Sequence, residues 1–277
     1  MFGRRPDASL VRDLSPLRRF MPFVSPRRSE ALVYMEDRIE VEAALALLDT
    51  LNQGRPREAR ATLFHLVLAA VARMLHDRPV LNRFVAGDRF WQRDGVYLTF
   101  SAKQRFDEAA PILTVKRRFE AGEPFEAMCA DLLKKLGSGR GGEKTTSDRE
   151  MGVLLRLPPF LVRLALGAVR LADRHGLLPR GMIETDPLYT SCFVANLGSL
   201  GLNGVFHHLW EWGNCPLFLV MGRIDPGPNG RRLTLSWTYD ERIADGFYAA
   251  TGLTRVRALL EAPAWVTEGE APLPSPA

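Results

Sequence analysis

Residues 231–248 read RRLTLSWTYDERIADGFY. The first ten form a β-like run, and the segment Asp240-Glu241-Arg242-Ile243-Ala244-Asp245-Gly246 then breaks it. A helix from about Gly246 to Leu260 follows and closes the apolar part of the chain. Working backwards, TSCFVANLG (190–198) and CPLFLVMGRI (215–224) are two more β-like runs, separated by turns containing Gly, Asn and Pro. The last third is therefore strand-rich and ends on a helix.

Further upstream the pattern mixes both element types. ALVYMEDRIEV (31–41) alternates as a strand does and runs into an amphipathic helix, EAALALLDTLNQG, stopped by Gly54. Residues 61–78, ATLFHLVLAAVARMLHDR, form a strongly apolar helix that Pro79 ends. Two strands are expected around RFVAGDRFWQRD and GVYLTFSAKQ, then a helix over GEPFEAMCADLLKKLGSG. The loop GSGRGGEKTTSDRE reads as disordered. In residues 151–178, Pro158–Pro159 divides a short helix from a longer one carrying Phe160, Leu161, Leu164, Ala165, Ala168, Val169 and Leu171. That wide stripe predicts a core helix pair whose other face, Arg163, Arg170 and Arg174, is solvated; a lid or a basic membrane-surface helix is the functional alternative. The expected organisation is an N-terminal arm (1–30), one α/β domain (31–265) and a disordered tail (266–277).

Composition excludes several classes. The 277 residues are 46% apolar and 25% charged, ordinary for a globular protein. Cys129, Cys192 and Cys215 are odd in number with no CxxC pair, which argues against a disulfide framework or structural zinc and fits a reducing cytoplasm. The net charge of +5 is mostly arginine and, with no nucleic-acid motif beside it, reads as a solvated basic surface; an anionic lipid or an anionic cofactor such as coenzyme A is the functional alternative. The first residues, MFGRRPDASLVRD, lack the apolar run of a secretory signal. No stretch reaches the roughly 20 apolar residues of a membrane span.

Three stretches together resemble a known family. HLVLAAVARMLHDRPVLNRFVAGDRFWQRDGVYLTF looks like the helix and strands shared by chloramphenicol acetyltransferase and the dihydrolipoyl acyltransferases of 2-oxo acid dehydrogenase complexes. FVANLGSLG is similar to the latter's Ser-Asn-Leu-Gly pattern, and TYDERIADGFY resembles His-x-x-x-Asp-Gly. The matches keep the family's order over roughly residues 15–265. The resemblance implies an α/β fold of the chloramphenicol acetyltransferase-like, CoA-dependent acyltransferase type, a mixed sheet flanked by helices. It also implies a homotrimer with sites between subunits, built up in the dihydrolipoyl enzymes into cubic or icosahedral shells. With no lipoyl or peripheral-subunit-binding domain in view, a complete dihydrolipoyl acyltransferase component is not expected.

The family's reaction needs a general base for the acceptor's thiol or hydroxyl and a donor for the oxyanion. Glu241 stands where the resemblance places the histidine, and Ala195 where it places the serine, beside Asn196 of the turn. Asp245 and Gly246, which the family uses to support the loop, are present; Arg18 or Arg19 is the expected partner of Asp245. A carboxylate is a poor base for a thiol or alcohol unless burial raises its pKa, so Glu241 is a candidate base or an ion-pair member. GVFHHLWEWGNCP (204–216) supplies the other candidates, His207 and His208, either as a relocated base with Glu211 or Glu241 as orienting partner or as packing residues beside Trp210 and Trp212 that bond to backbone. Adjacent strand residues point to opposite faces, so at most one of these histidines faces a cleft. A lone His-His pair lacks further metal ligands at suitable spacing. His65, His76 and His175 read as structural. Two functions stay open: an acyltransferase with a rearranged site, using a coenzyme A thioester or another acyl thioester as co-substrate, or an inactive homologue serving as a trimeric scaffold or acyl-binding protein.

Overall fold

The computed structural model describes residues 4–103, 112–140, 152 and 155–268. Nine strands are described: β1 (Ala8–Leu10), β2 (Leu32–Glu40), β3 (Arg83–Ala86), β4 (Arg89–Arg93), β5 (Val96–Lys103), β6 (Ile112–Phe119), β7 (Cys192–Asn196), β8 (Leu217–Gly227) and β9 (Gly230–Asp240). The helices are α1 (Pro16–Val24), α2 (Glu42–Leu51), α3 (Leu63–Asp77), α4 (Phe125–Arg140), α5 (Pro159–Arg174), α6 (Arg180–Thr185), α7 (Gly246–Glu261) and α8 (Trp265–Glu268).

Six strands form one mixed sheet in the order β2-β9-β8-β7-β5-β6. β7 runs parallel to both β5 and β8, and the remaining neighbours are antiparallel. The parallel pairs need long crossovers: the one from β5 to β7 carries β6, α4, α5 and α6, and the one from β7 to β8 is the segment 197–216. On one face, Val194, Leu219, Leu235, Trp237 and Tyr239 pack with α2, α3, α4 and α7 in the main core. α3 is apolar nearly all round because it lies between the sheet and α7. It starts on a Thr62–His65 capping box and stops at Asp77, ahead of Pro79. The alternation read in β9 thus buries one side against helices. Its other side, Ser236 and Thr238, is buried too, because a second layer covers the opposite face.

Two readings need correction. RFVAGDRFWQRD is a hairpin of two strands, not one: Gly87 and Asp88 both have φ of 59°, the backbone of a tight turn matched to strand twist. Its β4 pairs with β1, so the arm residues 8–10 complete a three-stranded antiparallel sheet. α5 is not a core helix either, since none of its residues is buried. Its inner side meets only the small cluster of Leu178, Ile183 and Tyr189, through Val169 and Ala172. ILTVKRRF, within residues 112–119, adds the strand β6 at the sheet edge. α8 extends helical structure into residues 266–268; the loop 141–150 and the tail beyond 268 lie outside the described residues.

Candidate functional site

Glu241 follows the last residue of β9 and has an exposed side chain, its amide donating to the Ala31 carbonyl at 2.8 Å. Arg18 of α1 clamps this loop from outside. Its Nη1 donates to the carbonyls of Glu241 (2.8 Å) and Arg242 (3.1 Å), and its Nη2 lies 3.8 Å from the Asp245 carboxylate. Asp245 also caps α7, accepting from the Tyr248 amide at 2.8 Å. The expected arginine partner of Asp245 is thus Arg18. Gly246 is the first residue of α7, and a Cβ there would meet nothing closer than the Tyr239 hydroxyl at 3.9 Å, so no tight turn depends on it.

Behind this loop lies a charged network that sequence reasoning missed. Asp240 is 1% exposed and Arg242 3%, and they form a two-pronged ion pair at 2.8 and 2.7 Å. Arg242 also donates to the carbonyls of Ser25 and Pro26. Buried Arg28 approaches Asp240 at 3.8 Å and donates to the carbonyls of Trp210 and Gly213. Glu211 receives the amides of Arg28 (3.3 Å) and Ser29 (2.8 Å). Burial alone pushes the Glu211 carboxyl up, but these amide bonds outweigh it and hold its pKa below the ordinary value. Glu211 is therefore committed to anchoring the arm. The signal in the sequence was the unbroken Asp-Glu-Arg at a strand end, where alternation buries the first and third residues.

The second face of the sheet carries Phe193 and Ala195 from β7, Phe218 and Val220 from β8, and Ser236 and Thr238 from β9, in cross-strand register. The segment 204–213 lies across this face. His207 stacks on Phe218 with ring centroids 4.1 Å apart and an interplanar angle of 10°. It also neighbours Trp210 (4.9 Å) and His208 (4.6 Å). The His207 Nδ1 is 2.7 Å from the His208 carbonyl oxygen. A carbonyl only accepts, so Nδ1 carries the proton and Nε2 holds a free lone pair in the neutral ring. Burial lowers the His207 pKa, opposed by the carbonyl bond and aided by the nearby His208. His208 is exposed. Of the two histidines, the structure therefore brings His207 to the face that bears Ala195.

Ala195 itself is half-buried and offers only a methyl group. Asn196 accepts the Ser199 amide at 3.2 Å and receives the Ser199 hydroxyl on its own carbonyl at 2.9 Å, which shapes the turn after β7. The hydroxyls of Ser236 and Thr238 are buried with no hydrogen-bond partner among the described residues. His65 is buried at the start of α3, and His76 bonds the Phe119 carbonyl at 3.0 Å.

No protein-family model matches this sequence, and no curated protein matches it. Solved structures do. A probable dihydrolipoamide acetyltransferase from Listeria monocytogenes 4b F2365 aligns with a TM-score of 0.58 at 15% identity, over 94% of this chain and 97% of that one. Dihydrolipoamide acetyltransferase from Azotobacter vinelandii aligns with a TM-score of 0.59 at 16% identity, over 92% and 94%. A chloramphenicol acetyltransferase aligns with a TM-score of 0.55 at 12% identity, over 91% and 99%. At these identities the likeness is one of fold. The chain has the mixed-sheet fold of these acetyltransferases, as its three motifs imply.

Proposed function

We propose that this chain is an acyl-transfer protein that takes its acyl group from coenzyme A or another thioester and uses His207 as general base. The observation that carries the reading is the Nδ1–H bond of His207 to a backbone carbonyl, which orients the ring and leaves Nε2 as the acceptor. A depressed pKa keeps that ring neutral near pH 7. The acceptor's thiol or hydroxyl gives its proton to Nε2 as its sulfur or oxygen attacks the thioester carbonyl carbon. The carbon–sulfur bond to the donor then breaks, and the imidazolium returns the proton to the leaving thiolate. His208 is the neighbouring alternative. Glu241 contributes a carboxylate beside the Arg18 clamp rather than the base.

The reading includes self-association into a trimer, for which the solvent-exposed Leu17, Phe20, Phe23 and Val24 of α1, tied by Arg18 to the 241–245 loop, and Phe247 just after that loop offer an apolar surface. The buried free cysteines fit a reducing cytoplasm. A second reading, a trimeric scaffold or acyl-binding protein, is favoured by Ala195, which removes the side-chain oxyanion donor; one such donor is worth about 10²–10³ in rate.

Thioester transfer and hydrolysis across an acyl-CoA panel test the proposal. Wild-type turnover is expected to be slow but real, to fall about 10²–10⁴-fold in His207→Ala, and to change little in His208→Ala and Glu241→Ala. Equal rates in wild type and His207→Ala would remove the base. Acyl-CoA binding without turnover in any of them would favour the scaffold reading.

A further inference from the structure

α5 is an amphipathic helix turned inside out relative to its expected burial. Its inner side is pinned to the body. Arg174 pairs with Asp88, the Arg5 guanidinium holds the Asp173 carboxylate at 2.8 Å, and Val169 and Ala172 meet the cluster around Tyr189. Its outer side carries Phe160, Leu164 and Leu171, which are 67%, 68% and 59% exposed. At 3.6 residues per turn these three fall within about 40° of one another, a single apolar crest. Leu155 and Leu157 lead into the crest and Leu177 follows it, all exposed. Arg163 and Arg170 run alongside, exposed and without an acidic partner among the described residues. The one acidic residue of α5, Asp173, faces inward to Arg5.

The geometry points to α5 as a peripheral membrane-binding helix that lies in the headgroup region of an anionic bilayer. The crest is convex, so it inserts side chains rather than receiving a ligand. The arginine row beside it sits where lipid phosphates would be, and the chain's net charge of +5 adds long-range attraction. Among the described residues no helix is long and apolar enough to cross a membrane, so α5 lies on the surface. A second copy docked crest to crest on an antiparallel two-fold would oppose arginine to arginine, whereas lipid phosphates complement that row. The inference does not rest on the acyl-transfer reading.

The test is flotation of the full chain with vesicles of phosphatidylcholine alone or with about one-third phosphatidylglycerol. Binding is expected only to the anionic vesicles and to weaken at high salt. Each arginine near the surface is worth about fivefold in binding, so Arg163→Glu with Arg170→Glu should cost about tenfold or more. Leu164→Asp with Leu171→Asp should abolish binding, with thermal midpoint and solution mass unchanged because these positions are exposed. No binding of wild type to anionic vesicles would overturn the proposal. So would binding that both double variants retain, or a fall in solution mass in the leucine variant, which would mark the crest as a contact between copies.

Discussion

His65 sits 3% exposed in the first turn of α3, its Nδ1 accepting the Thr62 amide at 3.1 Å. That bond requires an unprotonated Nδ1, and burial lowers the ring's pKa from 6.5 to about 4. Below pH 6.5 the unfolded chain takes up a proton that the folded chain refuses. Stability is therefore intact above that pH and is lost as pH falls toward 4, by on the order of 3 kcal/mol in the limit. We expect the thermal midpoint to decline through this window. His65→Gln, which keeps an acceptor in the capping box, should flatten the decline; an unchanged slope would place its origin elsewhere. The sequence marked His65 as structural because it lies on an apolar helix. The roles of His207 and His208 were not legible in the same way, since strand alternation does not apply to a covering segment that is not a strand. Which ring turned inward was decided by stacking on Phe218, a residue of another element.

At the scale of elements, three glycines let the turn after β7 and the covering segment lie directly on β8. A Cβ on Gly198 would fall within 3.0 Å of the Gly222 carbonyl, and one on Gly222 within 3.0 Å of the Gly204 amide nitrogen. The β8–β9 register shifts at this point, between Met221 and Ile224, so a bulge receives the turn. Backbone cannot yield as a flexible side chain does. We expect Gly198→Ala to destabilise by about 1–3 kcal/mol, read as a lower urea midpoint at unchanged slope. Gly181→Ala in α6, where a Cβ meets nothing within 4 Å, should be neutral or mildly stabilising. Equal behaviour of the two would mean that the close approach carries no energetic weight. Gly198 was visible in FVANLGSLG, Gly204 in GVFHHLWEWGNCP and Gly222 in CPLFLVMGRI, but their reason is a contact between separate segments of the chain.

At the scale of the whole molecule, α1 presents Leu17, Phe20, Phe23 and Val24 to solvent while Arg18 ties it to the loop at the end of β9. Apolar exposure at this density beside a conformationally fixed loop fits a subunit contact. The solution mass is expected to be three times the 31.0 kDa of one chain. Phe20→Asp with Phe23→Asp should reduce it to one. A monomeric wild type at micromolar concentration would dismiss a site shared between copies.

Most element types and their order were set by local properties, such as apolar periodicity, the proline that ends α3 and the Asp-Gly that opens α7, while the acetyltransferase-like fold was implied by the resemblance of three motifs to a known family. Those signals need no knowledge of distant neighbours. The Arg28–Asp240–Arg242 network, the inward turn of His207 and the outward crest of α5 were decided only by tertiary structure. In each case the outcome depends on which surface a segment meets. An apolar stripe reads the same along the chain whether it meets a core or solvent, and a charge reads the same whether or not its partner lies 200 residues away.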